Sequence, residues 1–198
     1  MRPKTISDDD LLKIACKCFV ENGPTVSTTT IAKAAGVSQA TLFKRFESKE
    51  QLMALALTHQ SPVILQYVQR APDPDRDIRT QLHELCGFMM TVFRIMVPRF
   101  MCIAATGSNA VSTMFGGEHG PPALVRRALT HWFEQAQAQG QLAEFDADSF
   151  AVALIGMMHT RPFREMALGD LTLQRTDDEY VEAILDVVWA GISPKETA

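Results

Sequence analysis

The chain has 198 residues, of which 46% are hydrophobic and 21% charged, and its formal net charge is −4. This length fits one domain or a small domain joined to a larger one, and the ordinary globular composition excludes intrinsic disorder. No apolar signal-peptide core follows Met1, and no apolar run approaches the roughly 18 residues of a membrane span, so we expect a soluble, cytoplasmic protein without a membrane partner.

The charge is distributed unevenly along the chain. Residues 1–50 carry eight Lys/Arg and six acidic residues, whereas the remaining 148 carry eleven and seventeen. A small basic head on a larger acidic body is expected where only one end of a protein meets a polyanion.

Helix signals recur throughout the chain, and no period-2 alternation predicts a strand. Ser7 and Ser48 each begin a capping-box pattern, and Gly23 ends the first helix. About nine helices are expected, three of them before residue 47. After these three we predict a helix at 48–67, which Pro62 kinks or splits, and a helix from near Asp77 that Pro98 either ends or separates from the next helix. Further helices are predicted at 122–140, at 146–169 and from 177 or 178 to 191. The longest loop is predicted at 107–122. The predicted fold class is all-α.

Residues 27–46 contain two short predicted helices separated by Gly36 and Val37. Ser27 or Thr28 caps the first helix, and Ser38 caps the second. Gly36 permits the positive φ of a tight turn, and Leu42 and Phe46 bury the inner side of the second helix. Together these features predict a helix-turn-helix.

The outer face of the second helix is short, polar and cationic, which suits the roughly 12 Å wide major groove of DNA. Gln39 can bond bidentately to adenine, while Ala40 and the Thr41 methyl can contact thymine methyls. Lys44, Arg45 and Lys49, with the hydroxyls and backbone amides around residues 27–29, suit phosphates, which position a protein without specifying sequence. The predicted DNA-binding residues are Ser27, Thr28, Thr29, Ser38, Gln39, Ala40, Thr41, Phe43, Lys44, Arg45 and Lys49.

The segment from Thr30 to Leu52 resembles the tetracycline-repressor (TetR) family of bacterial regulators, and the resemblance covers roughly residues 7–55. It implies a homodimeric, ligand-responsive repressor that binds double-stranded operator DNA. A DNA-binding domain at 1–47 would precede a larger effector-binding and dimerisation domain at 48–198. By position, Gln39, Ala40, Thr41, Phe43 and Lys44 correspond to the family's DNA-reading surface, and Lys49 to its phosphate-binding lysine.

Two residues depart from the family pattern. Ala40 replaces a glycine that is often found there, and its methyl group can contact base edges. Phe43 replaces the usual tyrosine, so one neutral hydrogen bond to a phosphate, worth about 0.5–1.5 kcal/mol, is lost. We therefore expect modest operator affinity.

The two C-terminal helices are strongly apolar. Residues 150–158 are apolar nearly all round, so this helix must be buried on more than one side. The last helix carries an apolar stripe at Val181, Ile184, Leu185, Val188 and Ile192. The resemblance implies that these helices pair with the same two helices of a second subunit, and a monomeric core helix is the alternative. A dimer would hold two recognition helices about 34–36 Å apart, which matches successive major grooves.

Residues 52–140 are rich in methionine and aromatic side chains, which adapt to apolar guests. For any single residue, ordinary core packing is the preferred interpretation, and the resemblance favours a pocket for a small apolar or aromatic effector. Its candidate residues are Met89, Met90, Phe93, Met114, Phe115 and Trp132, with His59, His83, Arg94 and His131 for a polar group of the ligand. For each of these four polar residues alone, a satisfied or exposed side chain is the preferred interpretation.

Enzymatic and metal-binding motifs are incomplete. His83-Glu84 begins like a zinc-protease motif, but Gly87 occupies the position of the second histidine. The four cysteines contain no CxxC pair, so we expect reduced, mostly buried thiols, no metal and no cofactor. Two alternatives stay open: a constitutive helix-turn-helix protein controlled by a protein partner, and a helical enzyme with an accessory DNA-binding head.

Overall fold

The computed structural model describes residues 6–59, 68, 70–107, 109, 111–112, 116–169 and 174–194. Within these ranges the structure has eight helices and no strand, which confirms the all-α prediction and agrees with the expected helix number. The helices are α1 (Asp8–Asn22), α2 (Thr28–Ala34), α3 (Gln39–Arg45), α4 (Lys49–Thr58), α5 (Ile78–Ala104), α6 (Pro121–Ala138), α7 (Ala147–Leu168) and α8 (Asp177–Ile192).

The chain forms two compact units, one of residues 1–61 and 98–114 and the other of residues 62–97 and 115–198. The first unit extends to residue 61 and so includes α4, whereas the predicted domain boundary lies after residue 47, before this helix. The reason is that α4 packs against α1 and buries Leu52, Ala56 and Leu57. The α5 segment from Pro98 onward also belongs to the first unit, where the Cys102 thiol donates to the Phe19 carbonyl oxygen at 3.3 Å.

The turn between α2 and α3 is built as its sequence predicts. Gly36 has a φ of 67°, its N–H donates to the Lys33 carbonyl, and the Val37 N–H donates to the Ala32 carbonyl. This pair of bonds is the Schellman motif, whose left-handed residue favours glycine. Below the turn, Ile31, Ala32 and Leu42 are buried in the core of the first unit.

The second unit is organised around a core to which α5, α6, α7 and α8 all contribute. Phe133 is fully buried, and its ring makes edge-on contacts with Trp132, Phe145 and Phe150. The same core holds the Cys86 thiol, whose pKa burial raises to about 12. All four cysteines are buried and unpaired, as the sequence predicts.

The sequence analysis is wrong about the end of α5. The prediction ended the helix or began a new one at Pro98, but α5 continues through this proline to Ala104. A proline inside a helix removes one hydrogen bond, and burial of the neighbouring Val97, Cys102 and Ile103 provides compensating packing. The predicted helix at 48–67 is also too long, because α4 ends at Thr58 and the backbone of His59 is already extended; Pro62 lies outside the described residues.

Helix α5 also departs from the expectation that no apolar segment is long enough for a membrane span. By length and composition it could cross a membrane, the one such helix in the described part of the chain, and 39% of its most apolar window is buried. Core helices of soluble proteins pass the same test, and α5 contributes Leu82, Leu85 and Met89 to the core of the second unit.

A charged cluster links α5, α7 and α8 within the second unit. Arg94 donates to Asp177 and to Glu165, the latter at 2.8 Å, and Arg161 donates to Glu165 at 2.9 Å. These bonds from Arg94 are the main cause that lowers the pKa of both carboxyl groups. Arg161, which is 7% exposed, also donates to the Thr176 carbonyl at 3.1 Å, just before α8 begins.

The Arg94 cluster should make the second unit sensitive to acid. Carboxyl groups with a lowered folded-state pKa stabilise the fold above their ordinary pKa of about 4, and this contribution is lost as the pH falls through the folded-state value. Replacing Arg94 with methionine should therefore lower the Tm at pH 7. Between pH 7 and pH 3 the Tm of this variant should then decrease less than the Tm of the wild type. Because Arg94 is partly exposed, the stability effect should not exceed about 1 kcal/mol. Thermal unfolding of this variant and of an R127M control across that range measures it, and parallel pH curves for wild type and R94M would contradict the assignment.

Candidate nucleic-acid interface

Three serines cap the short helices of the first unit. Ser27 and not Thr28 caps α2, because its hydroxyl accepts a hydrogen bond from the Thr30 N–H at 3.0 Å. Ser38 caps α3 in the same way through the Thr41 N–H, and Ser48 caps α4 through the Gln51 N–H. These caps fix where each helix begins and therefore which residues occupy its first turn.

Helix α3 divides cleanly into a buried and an exposed side. Leu42 and the adjoining Phe46 are buried, with 0% and 4% exposure. On the other side, Gln39, Ala40 and Lys44 are exposed, and Phe43 has 40% of its surface exposed. The predicted DNA-reading face is thus exposed to solvent in the first unit. On it the Phe43 ring lies between Gln39, in the first turn of α3, and Lys44.

The side chain of Gln39 bonds to two threonines of α2. Its Nε2 donates to Thr28 Oγ1 at 2.7 Å, and Thr29 Oγ1 donates to its Oε1 at 3.4 Å. Thr28 and Thr29 are the first residues of α2, and Gln39 is the first residue of α3. The hydroxyls that the sequence analysis assigned to phosphates therefore also contact the residue that it assigned to a base.

Arg45 has a different environment from the one its sequence position suggests. Its Nη1 donates to the Ile6 carbonyl at 2.8 Å and to Asp8 Oδ1 at 3.0 Å, and its side chain is only 19% exposed. These bonds tie the end of α3 to the start of α1. Arg45 therefore has a structural role in this unit, and the sequence could not show it because both partners lie far away along the chain.

The remaining predicted DNA-binding groups lie on the surface of the first unit. Lys44 and Ser27 are exposed, Lys49 is half-buried at the first position of α4, and Thr41 is half-buried with its hydroxyl 2.8 Å from Ser38 Oγ. The two lysines can approach an anion, whereas the Thr41 hydroxyl already has a local partner.

The predicted effector residues are in varied environments. Met89, Met90 and Trp132 are buried in the core of the second unit, and Phe93 packs against that core. His83 lies 3.4 Å from Asp178 and 3.6 Å from Glu182, and His131 is largely exposed beside Glu134. Arg94 belongs to the charged cluster, and Met114 and Phe115 lie outside the described residues.

His59 belongs to the first unit, where its Nε2 is 2.6 Å from Asp9 Oδ1. Its carbonyl accepts a hydrogen bond from Arg99 at 2.9 Å, and Asp9 also pairs with Lys13. The end of α4 is thereby tied to α1 and to the last part of α5. This packing gives His59 a structural role, in line with the expectation that this side chain on its own is satisfied by protein partners.

Two rings outside the predicted effector residues, those of His159 and Phe163, lie near Phe93. The His159 ring contacts Phe93 edge-on at 5.5 Å and stacks on Phe163 at 5.6 Å, and burial lowers the pKa of this histidine. The i, i+4 spacing of His159 and Phe163 on one helix is the only sequence signal for it. In the described ranges, no group of His, Cys, Asp and Glu side chains is arranged to hold a metal ion.

The fold and this surface define a helix-turn-helix DNA-binding protein. Residues 11–56 match the family of bacterial regulatory proteins described as the tetR family. This segment of the chain therefore carries the DNA-binding pattern of the TetR family of transcriptional regulators, which confirms the resemblance that its sequence predicts. No curated protein matches the chain in sequence.

Solved structures share the whole fold. A TetR family transcriptional regulator from Pseudomonas syringae pv. tomato str. DC3000 is 19% identical over 96% of this chain and 100% of its own, with a TM-score of 0.67. A TetR-like regulator from Rhodococcus sp. RHA1 is 19% identical over 96% and 98%, with a TM-score of 0.66. The flavonoid-responsive regulator FrrA is 27% identical over 94% and 97%, with a TM-score of 0.60.

Proposed function

We propose that this transcriptional regulator is a homodimeric repressor that binds operator DNA through α3 and is released by a small apolar or aromatic effector. The observation that carries the DNA-binding part is the open face of α3, where Gln39 and Lys44 are exposed while Leu42 is fully buried. A helix that presents polar and cationic groups on a supported unit of this kind fits the major groove.

The roles of the individual groups follow from their chemistry. Gln39 reads a base, and Ala40 and Phe43 supply apolar contact to thymine methyls or sugars. Lys44, Lys49, the hydroxyls of Ser27 and Thr28 and the backbone N–H of Thr29 bind phosphates, and the Ser38 cap fixes the start of the reading helix. Arg45 holds α3 in place through Ile6 and Asp8.

Dimerisation is proposed through the two C-terminal helices. Each exposes large apolar side chains in the isolated chain: Val152 on α7 is 52% exposed, and Val187 on α8 is 79% exposed. Exposed apolar side chains lose their unfavourable contact with water when a partner covers them. A second copy supplies the second recognition helix that two successive major grooves require.

The effector is proposed to bind in the second unit, which contains the adaptable side chains Met89, Met90, Phe93 and Trp132. FrrA is flavonoid-responsive and is similar over nearly all of both chains, which supports an aromatic ligand. The proposal places the protein in the cytoplasm, where operator DNA is found.

The test begins with the operator, which selection from random double-stranded DNA identifies. Operator affinity is then measured with and without a panel of flavonoids, other phenols and fatty acids. We expect at least one class to weaken operator binding about 5- to 150-fold, the range of ordinary allosteric coupling, while binding the protein in a separate titration. Unchanged affinity across the panel would instead favour the constitutive protein controlled by a partner, and turnover of a compound in mass spectrometry would favour the enzyme.

Lys49→Ala should weaken binding to all DNA sequences alike. Lys49 is half-buried at the first position of α4, and the ammonium group of a lysine contacts phosphate without reading bases. Loss of one phosphate contact should reduce the slope of log K against log salt by about 0.9 per subunit. Titrations at several salt concentrations measure the slope, with Lys17→Ala on the exposed side of α1 as the control. A change in base preference without a change in slope would contradict this role.

A further inference from the structure

We infer that Thr28 and Thr29 set the base specificity of Gln39 by holding its amide in one orientation. This inference rests on the proposed function, because it concerns how α3 reads a base. It assigns the two threonines a positioning role. The Thr28 hydroxyl accepts from Gln39 and keeps its proton for a phosphate, whereas the Thr29 hydroxyl donates its one proton to Gln39.

The geometry joins the first turns of two helices. Gln39 Nε2 donates to Thr28 Oγ1 at 2.7 Å, and Gln39 Oε1 accepts from Thr29 Oγ1 at 3.4 Å. Both α2 and α3 begin at serine caps, so the backbone positions of the three residues are themselves held. An exposed glutamine otherwise samples several rotamers, and ordering it on binding costs conformational entropy.

The donors and acceptors of the Gln39 amide that are not bonded to the threonines remain available to a base. A glutamine amide has two N–H donors and two acceptor lone pairs. One N–H is used by Thr28 and one lone pair by Thr29. The amide therefore presents one donor beside one acceptor.

That pattern matches adenine and not guanine. Adenine offers the N7 acceptor and the N6 amino donor, whereas guanine offers two acceptors, N7 and O6. With both N–H groups available, an unconstrained amide can donate twice to guanine. With one N–H bonded to Thr28, guanine O6 faces the amide oxygen and loses its partner. The threonine contacts therefore select adenine partly by excluding guanine.

The experiment uses the full-length protein and a selected operator in which the adenine read by Gln39 has been located. Affinities are measured for this operator, for its A-to-G variant and for one with 7-deazaadenine, which lacks the N7 acceptor. Wild type should prefer adenine over guanine about 5- to 150-fold, as a good bidentate contact does. Thr28→Val keeps the side-chain shape without the hydroxyl, and its preference should fall at least threefold, chiefly because binding to the guanine operator improves.

Three further variants separate positioning of Gln39 from phosphate binding. Thr28→Ser keeps the hydroxyl and should retain the preference of the wild type. Thr30→Val removes a hydroxyl that bonds to Ser27 and not to Gln39, so it should leave the ratio unchanged. Thr29→Val should act like Thr28→Val but more weakly, because its contact is longer.

The outcomes distinguish this inference from the proposed function. If Thr28→Val weakened the adenine and guanine operators by the same factor while Gln39→Ala removed the preference, the threonines would be phosphate contacts only and the inference would be overturned. If Gln39→Ala left the preference intact, the assignment of base reading to Gln39 would itself fail. Circular dichroism of each variant excludes loss of folding as the cause.

Discussion

Replacing Gln39 with alanine should remove the preference for adenine at one position of each half-site. The loss should be about 1–3 kcal/mol per half-site, or about 5- to 150-fold, because a bidentate amide–adenine contact is replaced by a methyl group that makes no hydrogen bond. Gln39 is exposed and supports no buried group, so the stability of the first unit should be unchanged.

Specific and random DNA must be compared in the same buffer to test this prediction. Random DNA is bound through phosphate contacts, which Gln39→Ala leaves in place, so that affinity should change less than twofold. Lys44→Ala is a useful contrast from the same exposed face, since loss of a cation should weaken both DNAs. An equal loss on specific and random DNA by Gln39→Ala would show that its side chain only positions the protein.

Replacing Val187 with aspartate should convert the protein from a dimer to a monomer. Val187 is 79% exposed in the single chain, so a polar substitution does not disturb the core of the second unit. In the proposed dimer the same side chain lies in an apolar interface, where an unpaired carboxylate is strongly unfavourable. Operator affinity should fall about 100-fold or more, because a second linked site adds 10²–10⁴ to the affinity of the first.

Analytical ultracentrifugation at micromolar concentration and operator titration measure both effects. Val187→Thr, which is close to valine in shape, should stay dimeric and bind operator with nearly the wild-type affinity. Leu55→Asp places the same charge at a 44% exposed position of the first unit and should not alter the oligomeric state. A V187D protein that sediments as a dimer would place the subunit interface elsewhere.

The helix-turn-helix could be predicted from the sequence in detail because short-range interactions specify it. The Ser27, Ser38 and Ser48 caps each bond to a backbone group three residues ahead, and the Gly36 turn closes over five residues. The buried and exposed sides of α3 follow from the spacing of Leu42 and Phe46. All of these features are readable within residues 27–51.

Arg45 and His59 could not be assigned from the sequence, because their partners are distant along the chain. Arg45 bonds to Asp8, 37 positions earlier, and His59 pairs with Asp9, 50 positions earlier. A basic residue near a reading helix predicts phosphate binding when only its neighbours in sequence are known. The packing of α1 on the rest of the unit gives these side chains structural partners instead.

Sequence alone determined the helical class of this protein, the starts of α3 and α4 and the face that α3 presents, since each depends on residue spacing and local hydrogen bonds. Tertiary structure decided that α5 continues through Pro98, that Met89 and Met90 lie in the core, and that Arg94 joins α7 and α8 through Glu165 and Asp177. The tertiary structure also places the Gln39 side chain within hydrogen-bond distance of Thr28 and Thr29. These features depend on which segments meet after folding, and the free energy of such contacts is not encoded in the periodicity of any single helix.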